Sequence, residues 1–477
     1  EKEGLTYPTE SGLIAAVNQA RTAKLTAYVD NVKNEPLITK LPKPGKVVSQ
    51  KRSPKFGYTE MKLSNGVTVL LKKTDYKKDE VRLSGSGGAG SSSYGAADFA
   101  NLKVFNSAIE VSGLANFSNT ELGKALAGKN ASYKGATERL WSMSEKRMRL
   151  GASSTPKDIE TMFQLAYLHF TKINKDQEAF NNLMESLKVS LQNRAISPDQ
   201  AFSDSLSATI YGHNPRVKPL ELADLPKVNY DRILHMAAER TANANGWRFI
   251  IIGNYDEATI RPLIERYLGS LPSKGANPNS KKVTFFKKGV TNNDFTRKME
   301  TPKADANMVW FSEDIPYTTE NAIKASIAGQ ILSMVYIKKI REDASAAYTC
   351  GAAGSASIDD KEHNVTLFAY CPMKPEKADL ALQIMRDEVT NLSKQCDASM
   401  LAKVKEYMVK EADNEAKTNG YWAGVISTWY RYGIDLHTDY KALVAKQTPE
   451  SISNFVKEIL KAGNRIQVTM MPAEEKK

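Results

Sequence analysis

The sequence predicts an α+β protein built twice, as two duplicated units of a metallohydrolase-like α/β roll, each a mostly antiparallel sheet with helices packed on one face. A strand and helix order that starts at residue 81 recurs from residue 308, and the closing strands at 247 and 465 repeat the same offset of about 220 residues, which duplication explains best. Each run closes on a short apolar strand, at 247–252 and again at 465–471. A length of 477 residues, at roughly 150 per domain, is enough for two large cores.

Composition narrows the class. Apolar residues at 41% and charged residues at 25% are ordinary globular usage, which excludes collagen-like, low-complexity and membrane-spanning chains and predicts a soluble protein. The balance of 66 Lys+Arg against 54 Asp+Glu leaves +12, a charge that attracts nucleic acid, anionic surfaces or acidic peptides. The densest basic stretches, 40–52 and 281–288, lack the aromatic and glycine interleaving of single-strand binders, so they read as solvated faces and no nucleic-acid partner is expected. Three cysteines exclude a disulfide framework. The opening Glu1-Lys2-Glu3-Gly4 has neither an initiator Met nor an apolar leader, as in a trimmed chain or a piece of a longer one.

Along the chain, Leu13, Ile14, Val17, Ala20, Leu25, Tyr28 and Val29 are spaced loosely as an amphipathic helix over 11–33. Pro36, Pro42, Pro44 and Pro54 forbid a helix in 34–56, which reads as an extended linker. Asn65-Gly66 between two apolar runs predicts a tight hairpin, followed by a strand at 81–84. Helices are expected over 97–112 and from Ser118, where Glu121 completes a capping box. Paired strands at 130–136 and 139–151 lead to Thr155-Pro156, which predicts a capped helix start. Three helical stretches between 176 and 241 precede the strand at 247–252 and a helix over 256–268. The second unit repeats the plan: a strand at 308–312, a long helix over 319–342, strands at 347–357 and 363–371, helices between 376 and 461, then the closing strand. The chain thus divides into a helical and extended linker (1–56), a first unit without a zinc motif (57–275) and a second unit (281–477).

Several motifs bear on chemistry. Gly85-Ser86-Gly87-Gly88-Ala89-Gly90 matches the dinucleotide fingerprint literally, but Arg82 in the strand before it and Ser91-Ser92-Ser93 after it suit a strand-to-helix loop better. The histidines, His169, His213, His235, His363 and His437, never pair at i, i+4. Asp359-Asp360-Lys361-Glu362-His363 approaches an inverted zinc motif with its first histidine missing, yet it falls at a hairpin turn, where acids are ordinary and ligands would not share a helix face. No G-x-S-x-G elbow occurs. Cys350 and Cys371 fall nearly opposite each other across that hairpin, either as buried thiols or as a cross-strand disulfide. Arg341 ends the long helix and Tyr348 opens the next strand, so the two can reach one point. They read either as a helix-terminal charge beside a strand tyrosine, or as converging donors to a peptide carbonyl or oxyanion.

The duplicated unit, the run Ile252-Gly253-Asn254-Tyr255-Asp256 with Tyr267-Leu268-Gly269-Ser270-Leu271-Pro272 behind it, and Ile340-Arg341-Glu342-Asp343-Ala344-Ser345-Ala346-Ala347-Tyr348 resemble the pitrilysin/insulinase-type (inverzincin) zinc metallopeptidases over residues 58–471. The likeness is to the C-terminal, non-catalytic half of bacterial two-half members. Where a catalytic half carries H-x-x-E-H, this chain has Asn106, Ala108, Ile109 and Glu110 on the corresponding helix. The resemblance therefore implies no catalytic residue, no metal and no cofactor in this chain, with zinc in a partner half. It implies that Arg341 and Tyr348 bind the substrate backbone opposite that zinc. The implied partners are a catalytic half, of the same polypeptide or a separate subunit, and a peptide substrate. The chain alone is expected to be inactive, contributing to a zinc metalloendopeptidase when combined with an H-x-x-E-H half, and the implied compartment is the bacterial periplasm rather than the cytoplasm. The alternative within the family is a structural or peptide-holding subunit with no role in proteolysis.

Overall fold

A computed structural model describes residues 8–24, 32–132 and 141–473. Asn65-Gly66 forms the expected hairpin between strands Thr59–Leu63 and Thr68–Lys73, with Gly66 at φ +84°, a conformation the turn requires and side chains resist. These strands belong to an eight-stranded sheet. Its order is Val47–Arg52, Thr59–Leu63, Thr68–Lys73, Arg248–Gly253, Val81–Gly87, Met148–Ser154 and Ala131–Ser132, with Trp141–Met143 also paired to Met148–Ser154. The closing strand Arg248–Gly253 sits centrally, parallel to Thr68–Lys73 and antiparallel to Val81–Gly87.

The second sheet repeats this arrangement with five strands, in the order Val290–Arg297, Arg465–Pro472, Ala304–Ser312, Glu362–Met373 and Gly351–Asp359. Again the closing strand is parallel to one neighbour and antiparallel to the other. In both sheets the closing strand lies between one parallel and one antiparallel neighbour, as a duplication requires.

Period-two alternation fixes which face each helix layer covers. In the first sheet Val69, Leu71, Leu83, Leu150, Phe249 and Ile251 turn toward the core shared with the helices Phe99–Val111, Ile159–Thr171 and Tyr230–Thr241. In the second, Met308, Trp310, Leu367 and Ala369 pack with Thr319–Tyr336, Ala378–Lys394 and Pro449–Lys461.

The opposite faces hold an exchange between the units. Helix Pro198–Ile210 of the first lays Phe202, Leu206 and Ile210 on Val309, Phe311, Ile466 and Val468 of the second sheet. Helix Asn419–Tyr432 of the second lays Ile426 and Trp429 on Tyr58, Leu70 and Ile250 of the first. Each large side chain fully buried there contributes roughly 1.5–3 kcal/mol that parting the units would forfeit.

The structure departs from expectation in places. The 34–56 stretch is not wholly linker, because Val47–Arg52 pairs antiparallel with Thr59–Leu63. Strand Val290–Arg297 was not foreseen. Thr155 does not cap the following helix; its hydroxyl donates instead to the Asp158 carboxylate, which also receives the Asn130 N–H. The helices expected over 256–268 and 319–342 end as π-helix, at Ile264–Leu268 and Ile337–Asp343. The first helix spans Glu10–Thr22 with no buried residue. Its expected continuation over 25–31, and residues 133–136 of the strand expected at 130–136, lie outside the described residues. No helix among the described residues is long and apolar enough to cross a membrane.

The glycine motif is explained by packing. A Cβ on Gly85 would lie 2.5 Å from the Phe249 ring and one on Gly87 would lie 2.4 Å from the Trp247 ring. These glycines make room for aromatic rings in the core, so Gly85 and Gly87 serve sheet packing and not a dinucleotide turn.

Candidate substrate-binding site

Arg341 lies in the π-helical segment Ile337–Asp343 and Tyr348 just before the strand Gly351–Asp359. The structure brings them together: the Arg341 guanidinium carbon is 5.7 Å from the centroid of the Tyr348 ring, a cation–π distance, and Tyr348 is 89% exposed.

The connection between them is pinned from both sides. The Ala346 N–H donates to Ile340 O at 2.8 Å, the Ala344 N–H to Lys339 O at 3.1 Å and the Lys374 N–H to Ala346 O at 2.9 Å. The Lys377 ammonium donates to Ala344 O at 2.6 Å. Ser345 adopts φ +49°, which turns the chain between helix and strand, and Ala346 and Ala347 are buried. Two exposed donors thus stand on a fixed support. Lys377 and Ser345 were not foreseen, although the small-residue run Ala344-Ser345-Ala346-Ala347 was the available signal.

The adjoining strand Gly351–Asp359 is the last in its sheet, paired only with Glu362–Met373 among the described residues. Its run Gly351-Ala352-Ala353-Gly354-Ser355-Ala356 is small because helix Thr319–Tyr336 presses on it, such that a Cβ on Gly354 would meet Ala325 O at 1.8 Å. The outer rim of this strand leaves backbone donors and acceptors beside the Arg341 and Tyr348 pair. Cys350 and Cys371 are both buried free thiols.

The Asp359 to His363 segment is the expected hairpin turn, with Asp360 at φ +60°. Its acids are engaged by cations of the first unit and the exchanged helix. Lys146, whose side chain is 5% exposed, bonds the Glu362 carboxylate, Asp360 Oδ2 at 3.2 Å and Asp359 O at 2.9 Å. Arg147 donates to Asp359 Oδ1 at 2.8 Å, and Arg431 bonds both Asp359 and Asp360. The Lys146 ammonium in turn holds the Glu362 carboxyl below its ordinary range. Acids committed to such a clasp do not fit a zinc ion, and no group of three metal-ligating side chains occurs among the described residues.

Residues 228–408, which include Arg341 and Tyr348, match the peptidase M16 inactive domain. The chain is 22% identical over 470 residues to the zinc protease PQQL-like of Arabidopsis thaliana, covering 93% of this chain and 45% of that protein. It is 21% identical over 456 residues to the probable zinc protease PqqL of Escherichia coli (strain K12), covering 94% and 48% respectively. The crystal structure of the periplasmic protease PqqL from Escherichia coli superposes with a TM-score of 0.78 at 20% identity, over 98% of this chain and 51% of that one. The chain therefore spans about half the length of the curated relatives it matches. The fold is that of a half of an M16-type peptidase. Residues 228–408 are thus similar to the inactive domain of such peptidases, the non-catalytic side to which the sequence motifs bear their resemblance.

Proposed function

We propose that this chain is the non-catalytic half of a zinc metalloendopeptidase, closing the substrate chamber on a catalytic half and holding the peptide backbone with Arg341 and Tyr348. The observation that carries this reading is the pair itself: an exposed phenol 5.7 Å from a guanidinium, on a pinned turn beside an open strand rim. Arg341 offers a planar fork of N–H donors and Tyr348 one O–H donor, a set suited to peptide carbonyls and to charge developing on one of them. The rim can align an extended backbone by strand addition while the pair fixes its position along the strand. Zinc chemistry would belong to the catalytic half, of the same polypeptide or a separate subunit. The E. coli relative is described as periplasmic, and that is the compartment we infer.

The test is reconstitution. The chain alone should cleave no peptide, and adding it to an H-x-x-E-H-bearing half should create proteolysis. A catalytic half equally active without this chain would favour the alternative, a structural or peptide-holding subunit.

A further inference from the structure

A cleft of about 450 Å³ opens on the face of the first sheet away from its own helices, between the sheet and the exchanged helix Asn419–Tyr432. Four arginines line it, Arg147, Arg149, Arg248 and Arg431, and no carboxylate does among the described residues.

The sheet register builds its floor. Arg248 stands opposite Ser86, Ser86 opposite Arg149, and Arg149 opposite Ser142, so that two guanidiniums alternate with two hydroxyls across four neighbouring strands. The alternation that puts Gly85 and Gly87 under aromatic rings in the core turns Ser84 and Ser86 to this open face. Strands lie about 4.8 Å apart, which places the Cα atoms of Arg248 and Arg149 about 10 Å from each other with Ser86 between them. A compact anion spans that gap.

Charge on this face is unbalanced. Arg147 and Arg431 share Asp359 and Asp360, and Lys146 takes Glu362. Arg149 and Arg248 have no carboxylate within ion-pair distance among the described residues. The hydroxyls of Ser84, Ser86, Ser142 and Ser427 likewise have no hydrogen-bond partner among them. Burial first, and then the like charges of Arg431 and Arg147, make Arg248 hold its proton less tightly than usual despite the Tyr430 ring beside it. A half-buried cluster of like charges costs stability when empty, and a bound anion relieves that cost.

We propose that this cleft is an oxyanion site that takes a compact polyanion, its oxygens bridging the Arg149 and Arg248 guanidiniums and accepting from Ser86 and Ser142. Arginine forks fit phosphoryl and carboxylate oxygens alike, so the anion comes either from a free polyphosphate or from clustered carboxylates of an acidic peptide. The site is separate from Arg341 and Tyr348 and does not depend on the function proposed for them.

The experiment titrates the full chain with pyrophosphate and, in parallel, with a tetraglutamate peptide, at constant ionic strength, by calorimetry and thermal shift. One equivalent should bind and raise the melting temperature. Arg149→Gln, at an exposed position, should fold normally and weaken binding at least about tenfold, as should Ser86→Ala to a smaller degree. Arg248→Gln should also lose binding while the empty chain melts no lower than the parent, because it removes like-charge repulsion. Tighter binding of pyrophosphate identifies a free polyanion as the source, and tighter binding of tetraglutamate identifies peptide carboxylates. The proposal is overturned if neither ligand binds, or if an Arg149→Gln/Arg248→Gln double variant that melts like the parent binds either one equally well.

Discussion

Replacing Lys146 with Met tests how the two units are held together. Met keeps the length of the stem and removes the ammonium, leaving Glu362, Asp360 and Asp359 without their shared cation. Breaking a fully buried pair costs about 3–5 kcal/mol. Lys146 is 5% exposed but its carboxylate partners are 37–49% exposed and regain water, so the loss is discounted to about 2 kcal/mol. At about 2–4 °C per kcal/mol for a unit of this size, the melting temperature should fall by about 4–8 °C at pH 7. The sign of the pH dependence follows from the acids. Glu362 is held low by the Lys146 ammonium, and Asp360, although burial raises it, is held low by hydrogen bonds from Arg431 and Lys146. Their contribution is complete above the unfolded carboxylate value of about 4 and is lost as pH falls through the lower folded values. Calorimetric scans should therefore show a gap between parent and variant that is full at pH 7 and closes below about pH 4. Equal melting at pH 7, or a gap undiminished at pH 3, would refute the clasp.

Two further outcomes follow from buried groups. Cys350, Cys371 and Cys396 are all buried free thiols, so a thiol reagent should find none in the native chain and three after denaturation; a count of one would mean that Cys350 and Cys371 are bridged. Burial pushes His169 down to about 4, with its Nδ1 against Leu165 O at 2.8 Å. A depressed histidine contributes stability above its unfolded value of about 6.5 that is lost as pH falls toward the folded value, at most about 3 kcal/mol. His169→Gln should flatten the acid limb of stability between those limits in thermal melts, and an unchanged slope would contradict this.

The parts of the fold legible in sequence were those whose signal is local. Asn65-Gly66 dictates its turn by backbone conformation, and Ser118 with Glu121 forms the expected capping box. Strands Val47–Arg52 and Val290–Arg297 were illegible because they lie at sheet edges with largely exposed side chains, so no apolar pattern marks them; only their partner strands make them strands. The helix exchange was hidden for a related reason. Phe202, Leu206 and Ile210 look like any core stripe, and nothing local says that their core belongs to the other unit. Arg341 and Tyr348 were legible because seven residues span a helix end and the next strand. The arginine cleft was not, since register across strands far apart in sequence assembles Arg149 and Arg248, and Arg431 arrives on a helix from the second unit.

The most direct test of the account is turnover by the reconstituted pair, or by the complete protein, carrying Tyr348→Phe. The change deletes one exposed hydroxyl and no packing, so melting temperature and co-elution with the catalytic half should match the parent. If Tyr348 donates to the carbonyl as charge develops, kcat/KM falls on the order of 10²-fold, as on removing an oxyanion donor. Arg341→Lys should lose nearly as much, because a point charge does not reproduce the planar fork. Full activity in both variants would contradict the claim and leave this half as a wall of the chamber.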